Sequence, residues 1–141
     1  MQRKASAEWK GGLKDGKGTI STASGVLKDT QYSFATRFEN GIGTNPEELL
    51  GAAHAGCFSM ALSAQLDQLG MKAQSIDTRA TVALEKVGDG FGITAVHLTT
   101  VGKVPGISDE KFQEIAKAAK AGCPVSKVLN ANITLDAKLE S

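Results

Sequence analysis

The stretch Asn45-Pro-Glu-Glu-Leu-Leu-Gly-Ala-Ala-His-Ala-Gly-Cys57-Phe-Ser-Met-Ala-Leu-Ser-Ala-Gln-Leu-Asp-Gln-Leu69-Gly70 decides the architecture. It opens with a helix-start signal. Asn45 is a capping residue, Pro46 suits the first helical position because it has no N–H to leave unpaired, and Glu47 and Glu48 sit at the positive end of the helix dipole. Gly70 supplies the stop. Between Leu49 and Ala64 no side chain is charged, and apolar or small residues occupy every side of the helical wheel. Such a helix is expected to be buried all round. It reads as too short, and too rich in His, Ser and Gly, for a bilayer span, so a central helix wrapped by a sheet or by a second subunit is the expectation. A chain of 141 residues has difficulty covering both faces of so long a helix. This predicts a dimer with the helix near its interface.

Upstream, Ala5 to Glu39 alternates between turn residues at Gly11-Gly12, Asp15-Gly16 and Lys28-Asp29, the pattern of antiparallel strands joined by short loops. Tyr32 to Glu39 reads as a strand with Tyr32, Phe34 and Phe38 on one face and Arg37 on the other. Downstream, Ile76 to Glu85 and Phe91 to Val101 alternate around Gly88-Asp89-Gly90, which predicts a hairpin. Ser108 then caps a helix with Asp109 and Glu110 in its first turn, a core stripe of Phe112, Ile115, Ala116 and Ala119, and lysines near its end. Gly122 closes it, Cys123-Pro124 starts a short helix to about Leu129, and Ile133 to Leu139 alternates as a last strand. The order β-β-β-α-β-β-α-α-β predicts an α+β fold, antiparallel sheets around a long buried central helix, in a single domain covering residues 1–141.

Composition agrees with one globular domain, at 41% hydrophobic and 22% charged residues. Disorder and collagen-like repeats are excluded. Sixteen basic and fifteen acidic side chains leave a formal charge of +1, so the overall field favours neither a nucleic acid nor an anionic membrane. No apolar run follows Met-Gln-Arg-Lys-Ala-Ser-Ala-Glu-Trp9, and the expectation is a cytoplasmic protein without a secretory signal or membrane anchor. In that compartment the two cysteines, Cys57 and Cys123, are not expected to form a permanent staple.

Each cysteine admits several readings. Cys57, among small residues on an apolar helix, is either core filler or a thiol that something can approach. Cys123 sits at a helix cap, where free N–H groups and the dipole lower a thiol pKa. If the two Cα atoms come within about 7 Å, a reversible disulfide can form. A buried thiol needs something to stabilise its anion, for which Arg37 is a candidate cation and Glu47 a candidate carboxylate to hold the guanidinium bidentately. On their own, an arginine on a strand also reads as a solvated charge and Glu47 as a dipole complement. His54 and Cys57, at i and i+3, could join His97 and Cys123 in a Cys₂His₂ zinc site, although neither a close Cys pair nor a close His pair is present. A satisfied core histidine or a pocket wall is the plainer reading of His54. Ser59 and Ser63 lie outside any nucleophile elbow, and Gly41-Ile42-Gly43 lacks the βαβ context of a dinucleotide site.

Thr44-Asn-Pro-Glu-Glu-Leu-Leu-Gly-Ala-Ala-His-Ala-Gly-Cys57-Phe-Ser-Met60, the upstream Tyr32-Ser-Phe-Ala-Thr-Arg37-Phe-Glu and the downstream Ala121-Gly-Cys123-Pro-Val-Ser-Lys-Val-Leu together resemble the OsmC/Ohr family of hydroperoxide peroxidases. The likeness runs from the Trp9 region to the Ile133-Thr-Leu-Asp ending. Gly16-Lys-Gly-Thr-Ile-Ser-Thr22 and His54, three residues before Cys57, are closer to the osmotically inducible OsmC branch. The resemblance implies an intertwined homodimer with two sites at its interface. It assigns Cys57 as peroxidatic thiolate, Cys123 as resolving thiol, Arg37 as activating cation and Glu47 as its anchor, with no departure at these four positions. Along a straight helix Glu47 and Cys57 are about 15 Å and roughly 80° apart. Either the helix breaks near Gly51, or Arg37 spans the gap, or the Arg–Glu pair serves a cysteine of the other subunit.

The expected activity is reduction of organic hydroperoxides, and less efficiently hydrogen peroxide, through a Cys57 sulfenic acid and a Cys57–Cys123 disulfide, in oxidative and osmotic stress defence. An external dithiol, lipoyl-type or thioredoxin-like, would reopen the disulfide, and no bound cofactor is required. Leu50, Phe58 and Met60 are expected to line an apolar substrate pocket. The alternatives are a non-catalytic redox-sensing or ligand-binding dimer using the same disulfide, and a zinc-stabilised structural module.

Overall fold

In a computed structural model describing residues 1–140, the chain divides into two compact units, Met1–Leu49 and the remainder from Leu50. The first unit is a three-stranded antiparallel sheet, β1 (Ala5–Lys10), β2 (Lys17–Thr22) and β3 (Thr30–Tyr32), followed by the short helix α1 (Phe34–Phe38). The turn into β3 places Asp29 in the left-handed region at φ 47°. Gly18 lies between the Trp9 and Tyr32 rings, whose centroids are 5.4 Å apart. A Cβ at Gly18 would collide with both, so the glycine allows the rings to pack across the strands.

The expected strand over Tyr32 to Glu39 is corrected. β3 ends at Tyr32, and Ser33 starts a helix through a reciprocal capping box: its hydroxyl accepts from the Thr36 N–H, and Thr36 Oγ1 accepts from the Ser33 N–H. Phe34 and Phe38 share a face at helical i,i+4 spacing, with ring centroids 4.8 Å apart. Arg37 is therefore not opposite the aromatic face, since its guanidinium carbon lies 5.5 Å from the Phe38 centroid. Asn45 links this turn to the next helix. Its amide donates to the Thr36 carbonyl, and its Oδ1 accepts from the Glu48 N–H.

The helix α2 (Pro46–Gln68) begins where the Asn-Pro-Glu-Glu signal places it. At 23 residues and mean hydropathy 1.2 it has the length and composition of a membrane-crossing helix, so the expectation that it is too short for a bilayer is corrected. In one chain the buried positions follow a single stripe through Gly51, His54, Phe58, Leu62 and Leu66, while Ala52, Ala53, Gly56 and Met60 are exposed.

From Leu50 onward, that stripe joins a core under a second sheet. β4 (Ser75–Val87) and β5 (Gly90–Lys103) form the hairpin, turning at Gly88 with φ 60° and shifting register between Ala83 and Leu84. α3 (Asp109–Gly122) is capped by Ser108 and buries Phe112, Ile115, Ala116 and Ala119, the stripe read from the sequence. α4 (Pro124–Val128) and β6 (Asn132–Glu140) follow. The sheet order is β4-β5-β6, and β6 runs parallel to β5, which corrects the expectation of purely antiparallel sheets. The α3–α4 connection is a crossover that returns the chain to the starting end of β5, as parallel pairing requires. Ser59 of α2 donates to Thr78 Oγ1, Thr78 meets the buried Thr100, and Thr100 donates to the Asp77 carbonyl, which satisfies the hydroxyls inside this core.

Candidate active site

The four sequence candidates fall into two pairs, one in each unit. In the first unit, α1 presents Arg37 to Glu47 in the first turn of α2. The guanidinium Nη2 lies 2.7 Å from Glu47 Oε1, and its Nε lies 3.1 Å and 3.2 Å from the two carboxylate oxygens. This fork is the geometry in which a carboxylate fixes a guanidinium in direction as well as position. Glu47 is buried and Arg37 partly open, so the carboxylate is the anchor and the cation keeps an exposed edge.

Arg37 also borders an apolar cavity of about 240 Å³ walled by Trp9, Leu13, Tyr32, Phe34 and Phe38. Phe58 and Met60, expected as pocket walls, are not part of it. Phe58 is fully buried in the core of the second unit, and Met60 is exposed. The aromatic wall escaped sequence reading because Trp9, Tyr32 and Phe34 come from β1, β3 and α1, whose pairing the linear pattern does not display.

In the second unit, Cys57 on α2 and Cys123 between α3 and α4 are free thiols close enough for each to shift the other's pKa. Cys123 is fully buried, whereas Cys57 is partly exposed. Burial pushes the Cys57 thiol pKa up, and the neighbouring Cys123 thiol adds to the effect, against an opposing N–H from Val125. For Cys123 burial also acts upward, but it is outweighed by the Cys57 thiol, by the amide and hydroxyl of Ser126 and by the Val125 amide. Its pKa falls below the ordinary thiol range. Two thiols that shift each other's pKa titrate as a pair.

His54 is fully buried one helical turn before Cys57, with Nε2 2.7 Å from Ser126 Oγ and Nδ1 without a hydrogen-bond partner. Burial lowers its pKa and favours the neutral ring. Ser126 had no sequence signal, because a serine in a five-residue helix is unremarkable until its neighbours are known. His97 lies elsewhere on the sheet, bonded to Thr134 and Asp136 of β6. Among the described residues no group of three or more His, Cys, Asp or Glu side chains is placed to share a metal.

Comparison with known proteins gives a consistent picture. The family model described as OsmC-like protein matches residues 39–138. The chain is 56% identical over 141 residues to Peroxiredoxin OsmC of Escherichia coli (strain K12), covering 100% of this chain and 99% of that one. It is 32% identical over 124 residues to the organic hydroperoxide resistance protein OhrB of Bacillus subtilis (strain 168), covering 87% and 88% of the two chains. The crystal structure of the Bacillus subtilis OhrB superposes with a TM-score of 0.69 at 30% identity, covering 97% of this chain and 98% of that one. With the family model spanning most of the sequence and a relative matching its whole length, this chain belongs to the OsmC-like protein family.

Proposed function

We propose that this chain is a cysteine peroxidase that reduces organic hydroperoxides to alcohols, working as a homodimer in the cytoplasm in defence against oxidative and osmotic stress. The observation that carries the reading is the pair of neighbouring free thiols, Cys57 partly exposed and Cys123 fully buried. The names of the two relatives, a peroxiredoxin and an organic hydroperoxide resistance protein, support the same chemistry.

In the proposed cycle the pair first loses one proton. The Cys57 thiolate attacks the distal oxygen of ROOH, the O–O bond breaks, and the departing alkoxide takes a proton from solvent to become ROH. Cys57 is now a sulfenic acid. Cys123 then loses its own proton to solvent, its thiolate attacks the Cys57 sulfur, the S–S bond forms as the S–O bond breaks, and the departing hydroxide is protonated to water. An external dithiol, lipoyl-type or thioredoxin-like, reopens the disulfide by exchange and is itself oxidised. The family resemblance assigns Arg37 as the activating cation and Glu47 as its anchor, and the fork that fixes the guanidinium supports that assignment. A preference for organic hydroperoxides over hydrogen peroxide follows from burial of the alkyl tail, at roughly 0.8 kcal/mol per buried methylene. A second copy of the chain covers the apolar outer face of α2 left open in one copy.

Steady-state turnover of cumene hydroperoxide and hydrogen peroxide, with dihydrolipoamide and then thioredoxin as donor, tests the reading. Faster turnover of the organic peroxide, abolished in Cys57→Ser, is expected. Cys123→Ser is expected to consume about one equivalent and then stall. Undiminished turnover by Cys57→Ser, or a wild type that reacts once and never turns over, overturns the proposal.

A further inference from the structure

The fork between Arg37 and Glu47 joins α1 to the first turn of α2, and one more side chain touches both helices. α1 has five residues, so its last carbonyls must find partners outside the helix. The Ala35 carbonyl takes the N–H groups of Glu39 and Gly41, and the Thr36 carbonyl takes the side-chain amide of Asn45 at 2.9 Å. The other end of the same amide caps α2, where Asn45 Oδ1 accepts from the Glu48 N–H at 2.8 Å. One planar group is thus bonded to the residue before Arg37 and to the residue after Glu47.

Few arrangements satisfy both bonds. The N–H and C=O of an amide are fixed in one plane, so donating to Thr36 while accepting from Glu48 sets the distance and angle between the end of α1 and the start of α2. Asn45 has little freedom of its own. Pro46, with its ring-locked φ, follows it, and Thr44, which precedes it, donates its N–H to the Gln31 carbonyl at 2.9 Å. Arg37 needs such a frame. Its side chain is long and flexible, and a fork that engages both Nε and Nη2 forms only when the two backbones stand in the right relation. Thr36 and Glu47 are buried, so water is poorly placed to take over either end.

We propose that Asn45 is a positioning residue for the Arg37–Glu47 pair: its side-chain amide clamps α1 to α2 and so holds the guanidinium in the fork. The inference rests on the peroxidase reading above, in which Arg37 is the activating cation, and adds the group that sets how that cation is held. No proton or electron passes through Asn45. Its contribution is geometry fixed before the peroxide arrives.

Two substitutions separate the clamp from the helix cap. Asn45→Ser and Asn45→Asp each keep an oxygen able to accept from the Glu48 N–H, and neither offers a side-chain N–H to Thr36. Each variant of the full chain is expected to keep wild-type far-UV circular dichroism and to react with cumene hydroperoxide at least about tenfold more slowly in stopped flow. In the Glu47→Gln background the same substitutions are expected to slow the reaction less than about threefold further, because the fork they serve is already broken. A second readout needs no peroxide. The Arg37 Nε–H signal, assigned with Arg37→Lys, is expected to move in proton–nitrogen correlation spectra of Asn45→Ser from its hydrogen-bonded position toward that of free arginine. Wild-type rates in the two variants, an undiminished loss in the Glu47→Gln background, or an unmoved Arg37 signal overturns the inference. Should one variant fail to fold, the other decides. A wild type that consumes no peroxide, while the Arg37 signal still moves on substitution of Asn45, overturns the peroxidase reading and leaves the clamp standing.

Discussion

Glu47 is a buried carboxylate whose two oxygens both engage one guanidinium, so its charge and shape are committed to Arg37. Hydrogen bonds to charged groups contribute about 1.5–3 kcal/mol, and each 1.4 kcal/mol on a barrier is roughly tenfold in rate. Glu47→Gln is therefore expected to slow the reaction with organic hydroperoxide by about ten- to a hundredfold while leaving far-UV circular dichroism unchanged, as stopped-flow peroxide consumption would measure. His54 sets a second expectation. Its folded-state pKa lies below the ordinary 6.5, so as pH falls through that value the unfolded chain takes up a proton that the folded chain resists. The contribution of His54 to stability is full above about pH 6.5 and declines below it. Denaturant midpoints between about pH 7.5 and about pH 5 are expected to fall more steeply in wild type than in His54→Gln. Cys57, Cys123, Arg37 and Glu47 were legible as residue types able to support thiol chemistry. The bond between Ser126 and His54 was not legible, because the two stand 72 positions apart along the chain.

At the scale of elements, the helices that announce themselves do so through local chemistry. Asn45-Pro-Glu-Glu and Ser108-Asp-Glu are caps followed by acids, and both helices begin there. The segment Ser33–Phe38 was misread because Phe34 and Phe38, four apart, satisfy a period of two as well as one of 3.6. What separates the readings is the pair of bonds between Ser33 and Thr36, each a weak sequence signal alone. The direction of β6 was equally hidden, since alternation marks a face and carries no polarity. The junction of β5 with α3 offers a packing test. A Cβ at Gly102 would lie 2.6 Å and 2.7 Å from the Phe112 ring, which is fully buried and has little room to yield. Gly102→Ala is expected to destabilise the protein by about 1–3 kcal/mol, seen as a lower denaturant midpoint at unchanged m-value.

For the whole molecule, the question is what covers α2. Its inner stripe enters the core of the second unit, but Met60 is 77% exposed and its neighbours Ala52, Ala53 and Gly56 are open on an uncharged surface. A protein in water does not ordinarily leave such a surface on a long helix, which is the argument for a second copy. Met60→Asp is expected to convert a wild-type dimer to monomer in size-exclusion chromatography with light scattering, because a carboxylate buried without a partner is strongly unfavourable. A wild type that runs as a monomer, or a Met60→Asp protein that stays dimeric, would exclude this face of α2 as the interface.

Caps, alternation and the stretch without charge determined by themselves that the chain is α+β and where its two long helices and its hairpin lie, because these signals act within a few residues. Only the tertiary structure decided that β6 runs parallel to β5, that Arg37 sits on a helix with its guanidinium locked by Glu47, and that His54 of α2 meets Ser126 of α4. Those arrangements join positions ten to more than seventy residues apart. They are set by which buried polar groups find partners once the sheets and helices have packed, and no local pattern in the chain encodes that.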